Sequence, residues 1–325
     1  MELRKDPITR SWVVVGKPEE SVAPNVPCPL CPGNETATQT LLALPADGPW
    51  QVRVIPHFDP LYRIEGDPAR SADGIYDRMR LVGAHEIVIE TPDHSRTLAR
   101  MADEDIERVL AAFALRIDDL KRDARFKYIT LFKNSGALAG EEWLHSHSQI
   151  LATTFVPRRV LYELRAAREW FQRRDRCVFC DIARQEKRQG KRLVDEEGEY
   201  LAFCPYASRV PYELWIMGRP HNSRFVIPDP GVARRPLAAL LGRVLRRLVR
   251  VAPAYHLVLH TAPNEPQTTR ELTGYWQSLG DAYHWHIEIL PITSITSKSY
   301  GIKETYFNAL EPERAAAELR ALDPA

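Results

Sequence analysis

No apolar run in this sequence approaches the roughly 18 residues needed to span a bilayer as a helix. The opening segment, MELRKDPITRSWVVV, has no apolar core followed by a small-residue cleavage site, so nothing in it reads as a secretory signal. Charge of one sign is also lacking. Lys plus Arg number 44 and Asp plus Glu 43, a formal charge of +1, which excludes a nucleic-acid binder that works by whole-surface charge. Cysteine is scarce, five in 325 residues, where a secreted disulfide scaffold would be shorter and denser. These absences point to a soluble cytoplasmic protein with neither nucleic acid nor membrane as partner.

Enough apolar sequence remains to build ordinary cores: 44% of residues are apolar and 27% charged. At about 150 residues per domain the length suggests two domains. Four of the cysteines form C-x-x-C pairs, Cys28/Cys31 in CPLC and Cys177/Cys180 in CVFC, and Cys204 stands alone. A redox dithiol usually opens a helix after a strand. CPLCPGNE instead reads as a loop, with Pro27, Pro29, Pro32 and Gly33 around it, and such a knuckle suits two thiolates converging on one metal ion.

The chain reads as one unit written twice. After CPLC, the stretch HEIVIETPDHSRTL predicts a strand over Glu86 to Glu90 and a turn that places His94 at its end. Ile106, Val109, Leu110, Phe113, Ile117 and Leu120 then fall at helical spacing, with Asp103, Glu104 and Asp105 at the start and Lys121 and Arg122 at the end, matching the helix dipole. A strand over Tyr128 to Lys133, a Gly-containing loop and a strand carrying HSHSQI follow. The second half repeats the order: CVFC, then YELWIMGRPHNSRF with His221 placed like His94, then a helix with Leu237, Leu240, Leu241, Val244, Leu245 and Leu248 on one face. A strand over His256 to His260 and a strand carrying HWHIEI complete it. Agreement in every element supports a duplication. The Arg-rich stretch from Arg158 to Arg176 predicts a connecting helix, with Leu161, Leu164 and Phe171 packed inward and the arginines in water. The domains expected are 1–157 and 158–325.

Each half thus offers four metal ligands: Cys28, Cys31, His94 and one histidine of HSHSQ, then Cys177, Cys180, His221 and one histidine of HWHIE. Cys₂His₂ is a closed structural zinc set. Strand side chains alternate, so His145, His147 and Gln149 share one face, and His284, His286 and Glu288 share another. One histidine of each pair closes a tetrahedron while the other projects into a cleft.

In these residues the sequence resembles the galactose-1-phosphate uridylyltransferase family of the histidine-triad superfamily. The resemblance runs from LRKDPITRSWVVV and CPLCPGNE through PDHSRTL, FKNSGALAG and HSHSQ to PYELWIMGRPH, HTAPNE and HWHIEILP, nearly the whole chain. It implies an α+β fold of two tandem histidine-triad-like domains, each an antiparallel sheet with packed helices, and a homodimer. It makes His145 the zinc ligand beside Cys28, Cys31 and His94, His147 the nucleophile, Gln149 its phosphate-binding neighbour and Asn134 a nucleotide-site residue. In the second half Cys177, Cys180, His221 and His284 form a complete zinc set, giving two zinc ions per chain, as in the plant-type adenylyl-sugar phosphorylase branch. That set leaves His260 and His286 outside it, although the HTAPN loop with His260, His284 and His286 resembles the uridylyltransferases' second metal site.

The chemistry fits the residue types. Double displacement needs a nucleophile unprotonated near neutral pH, and imidazole, with a pKa of about 6.5, is one. Where histidine-triad hydrolases carry a histidine, this chain carries Gln149, which donates a hydrogen bond but moves no proton; that favours transfer between phosphates over hydrolysis. The resemblance implies a nucleotidyltransferase acting on a nucleoside diphosphate sugar and a hexose 1-phosphate through a nucleotidyl-histidine, first of all a UDP-glucose–hexose-1-phosphate uridylyltransferase of galactose metabolism. An ADP-glucose phosphorylase-like adenylyltransferase and a zinc-stabilised nucleotide-binding protein with a dormant site are the alternatives. Three departures bear on the substrate. GKPEESVAP, with Lys17 its one basic residue, replaces the family's Arg–Ala–x–Arg–Pro stretch. Glu141 and Glu142 replace small or hydroxyl residues near the substrate phosphates. SKSYGIKETYFN, with Lys298 and Lys303 as candidates to meet an acceptor phosphate, lacks the uridylyltransferase pattern.

Overall fold

A computed structural model of the chain describes residues 1–16, 27–34, 39–226, 234–264, 277–293 and 305–324. Lys17, Lys298 and Lys303 lie outside the described residues. The first half contains β1 (Glu2–Lys5), β2 (Trp12–Val15), β3 (Leu42–Leu44), β4 (Val52–Pro56), β5 (Ser71–Asp73), β6 (Tyr76–Met79), β7 (Gly83–Ile89), α1 (Asp103–Leu120), β8 (Tyr128–Ser135) and β9 (His147–Thr153). The second contains α2 (Arg158–Arg174), α3 (Val178–Gln189), β10 (Leu193–Glu197), β11 (Tyr200–Phe203), β12 (Leu214–Gly218), α4 (Arg234–Leu248), β13 (Ala254–His260), α5 (Leu279–Ala282), β14 (His286–Ile292) and α6 (Pro312–Ala321).

Ten of the strands form one antiparallel sheet in the order β10-β11-β12-β14-β13-β8-β9-β7-β4-β3, and β2-β1-β6-β5 form a second, smaller one. Read outward from its centre, the large sheet runs β8-β9-β7-β4-β3 in one direction and β13-β14-β12-β11-β10 in the other. The repeat legible in the sequence is therefore a repeat of strand order. The halves meet edge to edge, β8 against β13, with Leu131 opposite Leu259 and Ser135 opposite Tyr255.

The helices predicted after each His turn cover one face of this sheet. Ile106, Val109, Leu110 and Phe113 of α1 and Leu237, Leu241, Val244 and Leu248 of α4 join a single buried cluster that also takes in Val88, Ile150, Ile216 and Ile287 from the strands. The apolar positions recur at helical spacing, so each helix has one stripe to bury and the two stripes share a core.

Several boundaries differ from the sequence reading. The strand expected over Glu86 to Glu90 begins three residues earlier, because β7 pairs with β9 from Gly83 opposite Thr153 to Ile89 opposite His147. The strand carrying HSHSQI starts at His147, which leaves His145 just ahead of it. The connecting helix ends at Arg174, where Asp175 takes a left-handed conformation, φ 53°. Its buried stripe is Val160, Leu164 and Ala167. Leu161 and Phe171 are only partly buried. Arg159 is exposed, and its guanidinium still reaches the buried Glu288 (3.0 Å). The two cysteine pairs also differ locally. CPLC lies in turns, whereas Cys177 is the N-cap of α3. Prolines without N–H groups keep the first from becoming helical, and CVFC has none.

Candidate active site and metal centres

Two clusters of cysteine and histidine form as the spacing implies: Cys28, Cys31, His94 and His145, and Cys177, Cys180, His221 and His284, with ligand atoms within 4.8 Å of one another in each. In the first, Cys31 Sγ lies 3.3 Å from His94 Nδ1 and 3.5 Å from His145 Nδ1, and Cys28 Sγ lies 3.8 Å from His145 Nδ1. In the second, Cys180 Sγ lies 3.3 Å from His221 Nδ1 and 3.4 Å from His284 Nδ1. A tetrahedron with arms of about 2.0 Å to nitrogen and 2.3 Å to sulfur has edges of about 3.3–3.8 Å, so both donor sets fit zinc in chemistry and spacing. His145 Nε2 donates to the Thr91 carbonyl (2.7 Å), which leaves Nδ1 for a metal and fixes the ring. The Cys180 thiol is pushed well below its ordinary range, first by its hydrogen bond with Cys177 and then by His221 and His284.

His147 opens β9 two residues beyond this cluster. Its Nδ1 donates to the His145 carbonyl (2.8 Å), so in the neutral ring the lone pair is on Nε2. Burial pushes its pKa down to about 4, and the Lys133 ammonium adds to the shift. Both effects keep the ring neutral and nucleophilic at neutral pH. Gln149 shares this face, opposite Ile87 of β7, while His147 is opposite Ile89. Beneath them Leu30, Ile55, Ile87 and Ile89 form a small apolar floor with Trp143 packed against it. Trp143 also meets His147 edge-on, ring centres 5.2 Å apart, and His147 is 2% exposed.

The opposite face of the same strand is held by buried charge. Glu90 accepts from Ser146 (2.6 Å), Ser148 (2.6 Å) and Lys133 (2.9 Å), and Lys133 also donates to the His147 carbonyl (2.8 Å). Asn134, the next residue on β8, uses Oδ1 to accept from His256 Nδ1 (2.9 Å). Gly136 then turns the chain at φ 88°, and a Cβ there would lie 2.7 Å from the Pro253 carbonyl, so the loop leading to the site requires glycine.

His57 and His85 carried no sequence signal of their own, whereas Glu141 and Glu142 are the two acidic residues that the sequence set near the substrate phosphates. His85 Nε2 bonds Gln149 Oε1 (2.9 Å), and His57 stacks on His85 with ring centres 3.9 Å apart. Glu142 Oε2 bonds both His57 Nε2 (3.2 Å) and Gln149 Nε2 (3.2 Å). Burial pushes the Glu142 carboxyl up, but the hydrogen bond from His57 and the fields of His57, His147 and His85 together outweigh it and hold the group below its ordinary range. Glu141 turns away to accept from the Gly136 amide (2.9 Å), and burial raises its pKa.

In the second half, Glu163, His260, His286 and Glu288 form a third cluster. His286 has the place of His147, its Nδ1 on the His284 carbonyl (3.1 Å), and stacks on His260 with ring centres 4.7 Å apart. Glu288, in the place of Gln149, is already paired with Arg159 (3.0 Å) and Arg209 (2.7 Å). Glu163 accepts from His260 (3.1 Å) and Tyr283 (3.1 Å). With both carboxylates compensated by protein cations and donors, this buried group is a poorer cation site than the two cysteine clusters.

Comparison with known proteins finds relatives that span nearly the whole chain. The profile of the galactose-1-phosphate uridyl transferase N-terminal domain matches residues 7–157. An ADP-glucose phosphorylase of Arabidopsis thaliana is 30% identical over 339 residues, covering 98% of this chain and 92% of that protein. A galactose-1-phosphate uridylyltransferase of Thermotoga maritima is 26% identical over 338 residues, covering 98% of each. A solved uridylyltransferase structure superposes with a TM-score of 0.82 at 28% identity, covering 99% of this chain and 98% of its own.

Proposed function

The chain belongs to the galactose-1-phosphate uridylyltransferase family, and from that membership we propose that it transfers a nucleotidyl group from a nucleoside diphosphate sugar through a covalent intermediate on His147. The observation that carries the reading is the Nδ1 hydrogen bond of His147 to the His145 carbonyl, which aims an unprotonated Nε2 into the site. That lone pair attacks the α-phosphorus. The N–P bond forms, the bond to the bridging oxygen breaks, and the electron pair leaves with the sugar 1-phosphate. An oxygen of an acceptor phosphate then attacks the same phosphorus and returns the pair to Nε2. Gln149 donates to the phosphoryl group without moving a proton, which suits leaving groups that need no acid. Asn134 belongs to the nucleotide side of the site.

The activity proposed first is exchange between UDP-glucose and a hexose 1-phosphate, as in galactose metabolism. The 30% identity to an ADP-glucose phosphorylase favours a second reading, adenylyl transfer to a phosphate acceptor by the same two steps. Zinc held by Cys28, Cys31, His94 and His145, and by Cys177, Cys180, His221 and His284, would stabilise the frame and hold the segment from which His147 projects. The domains are taken as 1–157 and 158–325, the assembly as a homodimer, and the setting as the cytoplasm; no helix among the described residues is long and apolar enough to cross a membrane. The test is the mass of the intact protein after separate incubation with UDP-glucose, ADP-glucose and a GDP-sugar. A uridylyl adduct supports the first reading and an adenylyl adduct the second. No adduct with any of them would favour a dormant site.

A further inference from the structure

Glu142 is placed where an anionic substrate must go. Its Oε2 accepts from two donors at once, His57 Nε2 (3.2 Å) and Gln149 Nε2 (3.2 Å). Neither donor is free to turn. His57 Nδ1 accepts from the Asp59 amide (3.1 Å), so the proton of its neutral ring is on Nε2. The Gln149 amide is oriented from its other end: the Leu61 amide donates to His85 Nδ1 (3.1 Å), and His85 Nε2 therefore donates to Gln149 Oε1 (2.9 Å). The two imidazole planes stack within 11° of parallel, so each limits rotation of the other. Side chains held this way, with His57 6% and Gln149 9% exposed, keep their aim whatever occupies the space between them. Two preorganised donors converging on one point are an oxyanion cradle. The point lies beside the nucleophile, because Gln149 is two residues from His147 on the same strand face.

We infer that this point is the seat of a non-bridging oxygen of the transferred phosphoryl group, that His57 is its second donor, and that Glu142 is a resident placeholder which the substrate displaces. The inference rests on the nucleotidyl-transfer reading of His147. A carboxylate oxygen matches a phosphoryl oxygen in charge and in the hydrogen bonds it accepts, and like charges exclude simultaneous occupancy. The placeholder satisfies donors that would otherwise be left buried and unpaired. Glu142 has room to leave, its side chain being 38% exposed.

Calorimetric titration of the full chain with UDP-glucose, ADP-glucose and inorganic pyrophosphate tests this. Glu142→Ala is expected to bind at least one of these ligands about tenfold more tightly than the parent, since a competing like charge is gone. Glu142→Gln gains less, because an uncharged carbonyl still occupies both donors. Adding His57→Ala to Glu142→Ala is expected to remove the gain, and His57→Gln, which keeps an N–H donor, to retain part of it. Equal or weaker binding by Glu142→Ala, or a gain indifferent to His57, overturns the inference. If the parent forms a nucleotidyl adduct while Glu142→Ala shows no gain, the cradle assignment alone fails. If no variant binds any of the three ligands and none forms an adduct, the nucleotidyl-transfer reading fails with it.

Discussion

His145 and His147 are two residues apart and differ in which nitrogen they spend on the backbone. His145 commits Nε2 to Thr91 and turns Nδ1 to the cysteines, whereas His147 commits Nδ1 to the His145 carbonyl, which leaves Nε2 for the attack proposed above. The two roles should therefore separate by mutation. His147→Ala is expected to lower sugar 1-phosphate release on the order of a thousandfold or more while metal content and thermal unfolding stay near those of the parent. His145→Ala should lose activity and one metal together. A rate assay run beside elemental analysis of both variants checks this. The spacing H-x-H-x-Q offered one histidine for a metal and one for a cleft, and the family resemblance implied which was which. Sequence was silent about His57 and His85, and it marked Glu142 as a charge near the substrate phosphates without showing its partners. Their partnerships span 85 residues from His57 to Glu142 and 64 from His85 to Gln149, so they depend on strand register, which local pattern does not encode.

Strand β9 is fixed from behind by a network that joins three elements: Lys133 on β8, Glu90 just past β7, and Ser146 and Ser148 along the HSHSQ segment. Side chains of Lys133 and Glu90 are 2% and 0% exposed. Removing one partner of a buried pair leaves the other uncompensated, so Lys133→Met should cost about 3–5 kcal/mol. Replacing both charges with apolar groups, Lys133→Met with Glu90→Leu, should recover much of that, though the two serines lose their acceptor. Urea unfolding of the two variants at neutral pH measures the difference. The core elements around each His turn were legible, since α1 and α4 carry uninterrupted apolar stripes, whereas the short strands β3 to β6, β10 and β11 and the helices α3 and α6 were not read. The start of β7 was missed because Gly83 and Ala84 have no strand propensity of their own, and pairing with Ala152 and Thr153 makes them strand.

The molecule as a whole repeats a five-strand unit, and the repeat was readable because each copy carries its own cysteine pair and histidine turn. The join between copies was not. The β8–β13 pairing is an edge-to-edge contact made through the backbone, and such a contact has no residue signature. The repeat also predicts the metal count. Elemental analysis should give two zinc ions per chain, and Cys28→Ser should reduce this to about one and lower the thermal midpoint, because the thiolate holds the frame and not the phosphorus. One metal per chain in the parent protein would leave one of the two clusters without its assigned role.

The covalent intermediate is the most direct point of contact with experiment. The protein is incubated with the nucleotide sugar that labels it, freed of small molecules, digested at a pH that preserves phosphoramidates, and mapped by mass spectrometry. The expected result is one nucleotidyl group on His147, discharged when a sugar 1-phosphate or inorganic phosphate is added before digestion. A nucleotidyl group on any other residue, or turnover of the nucleotide sugar by His147→Ala at the parent's rate, would contradict the account.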